Sequence, residues 1–374
     1  MDMEQIVKSD VIEKAIRSGI ETEFQVALAC DGDDIVFTAK EENSANPLSL
    51  SQVHYAAAIR RNPPLSGQNR ALCMADIVRV NTNYIAVSGI DDSVEQNENL
   101  KRLLRGSLAY QNRMQIPFTM LNSDQSERFE PYGFHYIYNA PCYKLHKEIF
   151  TAERLQQAME GERVVLDKPN ITLSVLDKNG LLPLAHFVNA VLCKKYGLFI
   201  IRNALYFENL QKKAAENGGT IYQIKEGSRL IGYFLYYNGE KEWISEAVFE
   251  DEENIACYLE EVEPRKPRVL ARIVNLHEML KHISSKGKVT VAIRLIDPII
   301  MENDGLFIWY LDEKGSYMER VQKTQTEDGS AMRPEITTTI GGLTAFLFEY
   351  IKLKDSLKFE SIYLTGPAWI TEQM

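Results

Sequence analysis

The chain reads as an α+β protein, and three stretches carry that reading. In "KVTVAIRLIDP", Val289, Val291, Ile293 and Leu295 alternate with other residues, the period-two pattern of a strand with one buried face. After Asn97, Leu100, Leu103, Leu104 and Leu108 recur at helical spacing. "TIYQIKEGSRLIGYFLYYNGEKEWISEAVFE" holds apolar and aromatic runs divided at Glu226-Gly227 and Asn238-Gly239, which predicts a meander of strands.

Taken in order, residues 1–145 begin with a hairpin-like stretch, "DIVRVNTNYIAVSGI", whose turn is expected at Asn81-Thr82-Asn83. An apolar strand, "YIAVSGI", then meets "VEQNEN", the leucine-spaced helix and a short apolar strand, "IPFTML". Strand, short loop and helix is how many phosphate sites begin. Such loops usually carry glycines, so that backbone N–H groups reach the anion. This one has no glycine and two glutamates. In "RFEPYGFHYIYNAPCYKL" the aromatic residues alternate in strand fashion.

Residues 146–263 contain a strand, "NITLSVLD", and a helix, "PLAHFVNAVLCKKYG", that stops at Gly197. A second helix, "NALYFENLQKKAAENGG", is followed by the meander. "FEDEEN" is read as a solvated turn. "EEVEPRKPR", with its charges and two prolines, is read as a domain boundary. Residues 264–374 open with "VLARIVNLHEMLKHI", strand-like and then helical. "DGLFIWYLDEKG" is a strand entering a turn. "EITTTIGGLTAFLFEYIKLKD" is a strand followed by a densely apolar helix, with Gly341-Gly342 read as close packing at the turn. The ending "SIYLTGPAWITEQM" places Trp369 and Ile370 close to the last residue, so the terminus is expected to be docked.

At 374 residues, two or three domains are expected. A net charge of −10 argues against a general nucleic-acid binder, because phosphate contacts need clustered Lys and Arg. The charged N-terminus is not a secretory signal, and no run approaches the ~18 apolar residues of a membrane helix. A cytoplasmic protein is expected. The five cysteines are scattered without a CxxC, and buried free thiols are expected. The six histidines do not cluster at metal-ligand spacing. Arg202, in "IIRN" ahead of a helix, is read as a capping or ion-pair residue.

These segments resemble the enhanced-intracellular-survival type of GNAT N-acetyltransferase. "YGLFIIRNALYFENL", "GGTIYQI" and "LIGYFLYY" resemble the family's central GNAT-like domain. "RVLARIVNLHEML", "AIRLIDP", "MENDGLFIW", "ITTTIGGLTAFLF" and the terminal "WITEQM" resemble its sterol-carrier-protein-like domain. The resemblance implies a GNAT domain with a degenerate cofactor loop at 1–145, a second GNAT-like domain at 146–263 and a sterol-carrier-like domain at 264–374.

It further implies acetyl-CoA as cofactor and a small-molecule or lysine-like amine as acceptor. The pantetheine arm would lie on backbone groups of Val87 and Ser88. Phosphate would sit at the start of the helix, around Asn97, Glu98, Asn99 and Leu100. The family's base is the C-terminal carboxylate, here that of Met374. Its loop, RxxGxG, aligns so that Glu95 takes the basic or amide position and Gln96 and Glu98 take glycine positions. Its acid tyrosine falls at Phe129, which has no hydroxyl; Tyr132 is the candidate substitute, and Gly133 matches the family glycine. The departures leave a second implication open, a catalytically inactive GNAT-fold protein that binds another ligand or a partner. By resemblance a homo-oligomer is expected; an apolar helix such as "LTAFLFEYI" lines a lipid-sized cavity in sterol carrier domains, but in this family the domain mostly packs and delivers the terminus.

Overall fold

The computed structural model describes residues 3–31, 34–39, 48–61, 74–89, 94–239, 242–322, 333–353, 357–363 and 365–371, without the side chains of 3–11, 31, 94–97, 263 and 357. Met374 therefore lies outside the described residues, as does Cys73.

The first part of the chain builds one half of a large sheet. Helix α1 (Met3–Phe24) leads into β1 (Val26–Asp31), β2 (Asp34–Ala39), β3 (Ser49–Arg60) and β4 (Ile77–Ser88). These four strands pair antiparallel in sequence order, with β3 and β4 matched from Ser49↔Ser88 to Arg60↔Ile77. Helix α2 (Val94–Arg113) crosses to β5 (Phe118–Asn122), which lies parallel to β4, and β6 (His135–Leu145) follows. The leucine stripe of α2 does what its spacing predicts: Leu100, Leu103, Leu104 and Leu108 are buried against Ile20, Phe37, Leu50 and Ile85.

The second part supplies the other half. It contains α3 (Ala152–Met159), β7 (Val164–Val165), β8 (Ile171–Val175), α4 (Leu181–Lys195), β9 (Leu198–Ile200) and α5 (Ala204–Glu216). The meander follows as β10 (Gly219–Glu226), β11 (Arg229–Tyr237) and β12 (Trp243–Phe249), and then α6 (Glu252–Tyr258) and β13 (Leu259–Ile273). Side-chain oxygens begin these helices: Thr151 accepts from Arg154 N, Asn203 from Tyr206 N and Asp251 from Asn254 N. The last part holds α7 (Leu276–Leu280), β14 (Ser284–Ser285), β15 (Val289–Ile296), β16 (Gly305–Asp312), β17 (Gly315–Arg320), β18 (Ile336–Thr339), α8 (Ile340–Leu347), α9 (Leu357–Glu360), β19 (Ile362–Tyr363) and β20 (Ala368–Trp369). Val291, Ile293 and Leu295 of β15 are buried, as the alternation requires.

Among the described residues the main sheet has 14 strands, in the order β1-β2-β3-β4-β5-β13-β6-β12-β11-β10-β8-β7, with β9 and β20 joined at β3. A four-stranded sheet, β17-β16-β15-β18, stands beside it. One core runs from Tyr84 and Phe118 through α4 to Trp309, Ile340 and Trp369.

Several expectations are corrected here. Asn81-Thr82-Asn83 is not a turn but the middle of β4. Thr82 and Asn83 are buried, and Thr82 Oγ1 donates to Phe118 O at 2.8 Å while Thr119 Oγ1 donates to Asn83 O at 3.0 Å. Those cross-strand bonds satisfy the polar groups that would otherwise favour a turn. "VEQNEN" is not a loop: α2 opens at Val94, four residues before Glu98. "FEDEEN" is the capped start of α6 rather than a free turn. "EEVEPRKPR" lies within β13, which pairs with both β5 and β6, so its charges and prolines sit in a strand. The prolines are accommodated by register shifts between Val262 and Lys266 and between Pro267 and Val269. Cys193 is a buried free thiol as expected, but Cys30 and Cys257 are exposed.

Candidate active site

The site begins where two parallel strands part. β4 and β5 pair at only three positions, Asn83↔Thr119, Tyr84↔Met120 and Ile85↔Leu121. β4 then runs on to Ser88, still paired with β3 on its other edge through Ser49↔Ser88. In an antiparallel ladder, alternate residues turn their N–H and C=O to opposite edges. The stretch 86–88 therefore presents at least one residue's backbone donor and acceptor to the gap. A main-chain group facing a cleft needs a partner, from solvent or a ligand.

The gap opens into a cavity of about 620 Å³. Val87 of β4 forms one side. Ser123 and Asp124 follow β5, Arg128 and Phe129 come from the turn beyond it, and Lys266 and Arg268 come from β13. The root of the gap is held by the Thr82 and Thr119 hydrogen bonds and by Gln52 Nε2, which donates to Ser107 O at 3.1 Å.

Of the expected cofactor residues, Val87 lines the cavity. Ser88 sits at the exposed end of β4, its Oγ 2.7 Å from Ser49 Oγ. Asn99 and Leu100 are buried in α2, and exposed Glu98 is ion-paired with Lys101 at 3.3 Å. Because the helix opens at Val94, the N–H groups from Asn97 onward fall inside the helical ladder. The orphan donors are those of the first turn, Val94 to Gln96.

The turn after β5 places the acid candidates. Phe129 is buried in the cavity wall, edge-on to Phe134 at 6.2 Å. Tyr132 lies outside the lining, half-buried against the α2 core. Burial pushes its phenol above the ordinary value of 10; the Glu98 charge adds to this and Arg105 opposes it. Gly133 has φ +82, and a Cβ there would stand 2.6 Å from Ile340 Cγ2, so the position demands glycine. Arg272, wholly buried, donates through Nη1 to Tyr132 O and through Nη2 to Asp297 Oδ2 at 2.6 Å.

Thr371 is the last described residue before the expected base. Its Oγ1 donates to Glu246 Oε2 and accepts from Arg202 Nη2 at 3.1 Å. Arg202 and Glu246 are a buried ion pair at 3.3 Å, as the ion-pair reading of Arg202 anticipated. The Arg202 guanidinium lies 4.7 Å over Tyr206 and 4.8 Å over Trp369. Tyr206 meets Tyr55, and Tyr55 meets Tyr84 at the root of the gap, both with centroids 6.4 Å apart. Sequence reasoning did not find Arg128, Lys266, Arg268 or Glu246. The "PRKPR" string was the one available signal, and it was read as a boundary.

A smaller cavity of about 270 Å³ lies between β6, β12, α4 and β20, lined by Tyr138, Tyr143, Lys195, Tyr196, Glu349 and Trp369 among others. Burial lowers the Lys195 pKa and raises that of Glu349. Among the described residues no group of His, Cys, Asp or Glu has the arrangement of a metal site.

No protein-family model matches the chain, and no curated protein matches it by sequence. Solved structures do match. A GCN5-related N-acetyltransferase from Anabaena variabilis ATCC 29413 is similar over 99% of this chain and 97% of its own, with TM-score 0.60 and 14% identity. A conserved protein of unknown function from Enterococcus faecalis V583, described as a probable N-acyltransferase, covers 83% and 78% with TM-score 0.55 and 13% identity. Eis1 from Mycobacterium abscessus covers 88% and 86% with TM-score 0.52 and 12% identity. The fold is thus a mixed α+β one whose neighbours are GNAT N-acetyltransferases. No helix among the described residues is long and apolar enough to cross a membrane.

Proposed function

We propose that the cavity between β4 and β5 binds acetyl-CoA and that the chain transfers the acetyl group to an amine. The observation that carries this is the parting of two parallel strands beside an unpaired stretch of β4, in a fold shared with N-acetyltransferases. The residues present fit such a cofactor. The free edge at 86–88 suits an amide-bearing arm, as an added strand would. The first turn of α2 offers N–H groups and a favourable dipole to phosphate.

When bound, acetyl-CoA supplies a thioester open to attack by a neutral amine. The chain's own groups must then orient the thioester, take a proton from the amine and return one to the thiolate. The carboxylate of Met374 is the proposed base. Its support is that Thr371 is anchored by Arg202 and Glu246. Tyr132 is the proposed acid: it lies in the same turn as Phe129 of the cavity wall, and Arg272 Nη1 donates to its carbonyl.

A Tyr132→Phe variant is expected to lower kcat about a hundredfold while acetyl-CoA affinity is unchanged. Steady-state kinetics beside equilibrium binding checks this, and an unaltered kcat removes Tyr132 from the mechanism. One observation favours the second reading, a GNAT fold without transfer: Phe129, not a hydroxyl residue, faces the cavity. In that case the cavity takes another ligand or a partner, and no amine in a broad panel is acetylated.

The finer assignments belong to the same proposal. The hairpin-helix-strand order β3-β4-α2-β5 recurs as β11-β12-α6-β13, which supports a second GNAT-like unit. The sterol-carrier-like identity of the last part, the homo-oligomer and the cytoplasmic location rest on the sequence resemblance.

A further inference from the structure

We propose that the β13 side of this cavity is an anion subsite, built from Lys266 and Arg268 together with Arg128, that takes a phosphate or carboxylate group of the ligand. It deepens the acyl-CoA reading of the same cavity, and its test lets either fail alone.

The chain carries 52 acidic and 42 basic residues, yet this cavity is lined by three cations and one carboxylate, Asp124. Some exposed cations elsewhere in the chain are held by carboxylates: Arg229 by Glu226 and Glu250, Lys281 by Glu278, and Lys358 by Glu335. Arg265, next to Lys266, is neutralised by Glu261. Among the described residues neither Lys266 nor Arg268 has a carboxylate at ion-pair distance.

Lys266, Pro267 and Arg268 follow one another in the cavity lining, and Arg268 is the residue left without a β6 partner by the bulge between Pro267 and Val269. Pro264 and Pro267 remove two ladder donors, and the bulges beside them re-aim the strand here. Arg268 O accepts from Ser123 N at 3.0 Å, which fixes that residue at the end of β5 where the gap widens. Lys266 is exposed and Arg268 half-buried, so an anion can reach both. Buried Phe129 in the same wall lowers the local dielectric and strengthens the attraction.

Two sources fit this chemistry. The anion can be a phosphate of the acyl donor, or an acidic group on the amine acceptor. Calorimetric titration of the full chain with inorganic pyrophosphate, with CoA and with pantetheine separates them. Pyrophosphate is expected to bind, and to weaken about a hundredfold in the Lys266→Gln/Arg268→Gln double variant, roughly tenfold for each charge-assisted hydrogen bond removed. Arg265→Gln, which removes a paired cation of the same strand, is the control and is expected to leave it unchanged.

If the double variant also weakens CoA but not pantetheine, the donor's phosphates occupy the subsite. If it loses pyrophosphate while CoA is unaffected, the acceptor supplies the anion. CoA that fails to bind at all, beside pyrophosphate binding that depends on the two cations, sinks the acyl-CoA reading and keeps the subsite. No pyrophosphate binding, or equal binding by wild type and double variant, overturns the subsite.

Discussion

A Gly197→Ala substitution is expected to displace the C-terminal segment and abolish acetyl transfer while sparing acetyl-CoA binding. Gly197 lies where two backbones cross. A Cβ there would overlap the Thr365 carbonyl and come within 2.7 Å of Gly366 Cα, and neither backbone can swing aside as a side chain would. The crossing is tied by Gly197 N donating to Pro367 O at 3.0 Å and Arg60 N donating to Gly197 O at 2.8 Å. Just beyond it, β20 pairs with β9, and Trp369 packs under Arg202 and beside Tyr196. Overpacking at such a point costs about 3 kcal/mol. Urea unfolding measures that cost, and proteolysis of the C-terminal residues reports their release. Transfer at the wild-type rate from a protein whose terminus has been released would mean that the base is not there.

Removing Arg272 is expected to cost about 3–5 kcal/mol, the cost of leaving a buried charge uncompensated. Arg272 and Asp297 have fully buried side chains. Asp297 also accepts from Ile299 N at 2.9 Å, Ile300 N at 3.0 Å and Asn303 Nδ2 at 2.9 Å. Burial presses on the Arg272 charge, and Asp297 holds it. Arg272→Met alone leaves Asp297 without its counter-charge; Arg272→Met with Asp297→Asn does not. Denaturant unfolding should therefore show the double variant losing less than the two single variants summed. A strictly additive pair would mean that the ion pair contributes little. Because Arg272 also holds Tyr132 O, the single variant is expected to weaken ligand binding at the neighbouring Phe129 wall.

Regular amphipathic elements were legible in the sequence. The leucines of α2, the alternation of β15 and the turns of the meander each show a single strong period, and burial follows it. The motif resemblance led to the GNAT fold even though the structural neighbours are only 12–14% identical. Three features were hidden for physical reasons. β4 carries Asn-Thr-Asn at its centre, and only cross-strand partners make those residues compatible with a buried strand. β13 carries prolines and charges that read as a linker, and bulges absorb them. The start of α2 lies among residues of weak helical pattern, so the leucine stripe places the helix start about one turn late. The cavity itself depends on strands more than a hundred residues apart in sequence, a separation that no local pattern encodes.

The central claim, that the parting of β4 and β5 is a CoA site, is tested most directly by calorimetric titration of the full chain with acetyl-CoA at low and moderate salt. The account predicts saturable binding at micromolar concentrations, weakening as salt rises because the phosphates meet fixed positive charge. No binding up to millimolar acetyl-CoA would contradict it, and would leave a GNAT fold whose cavity serves a different ligand.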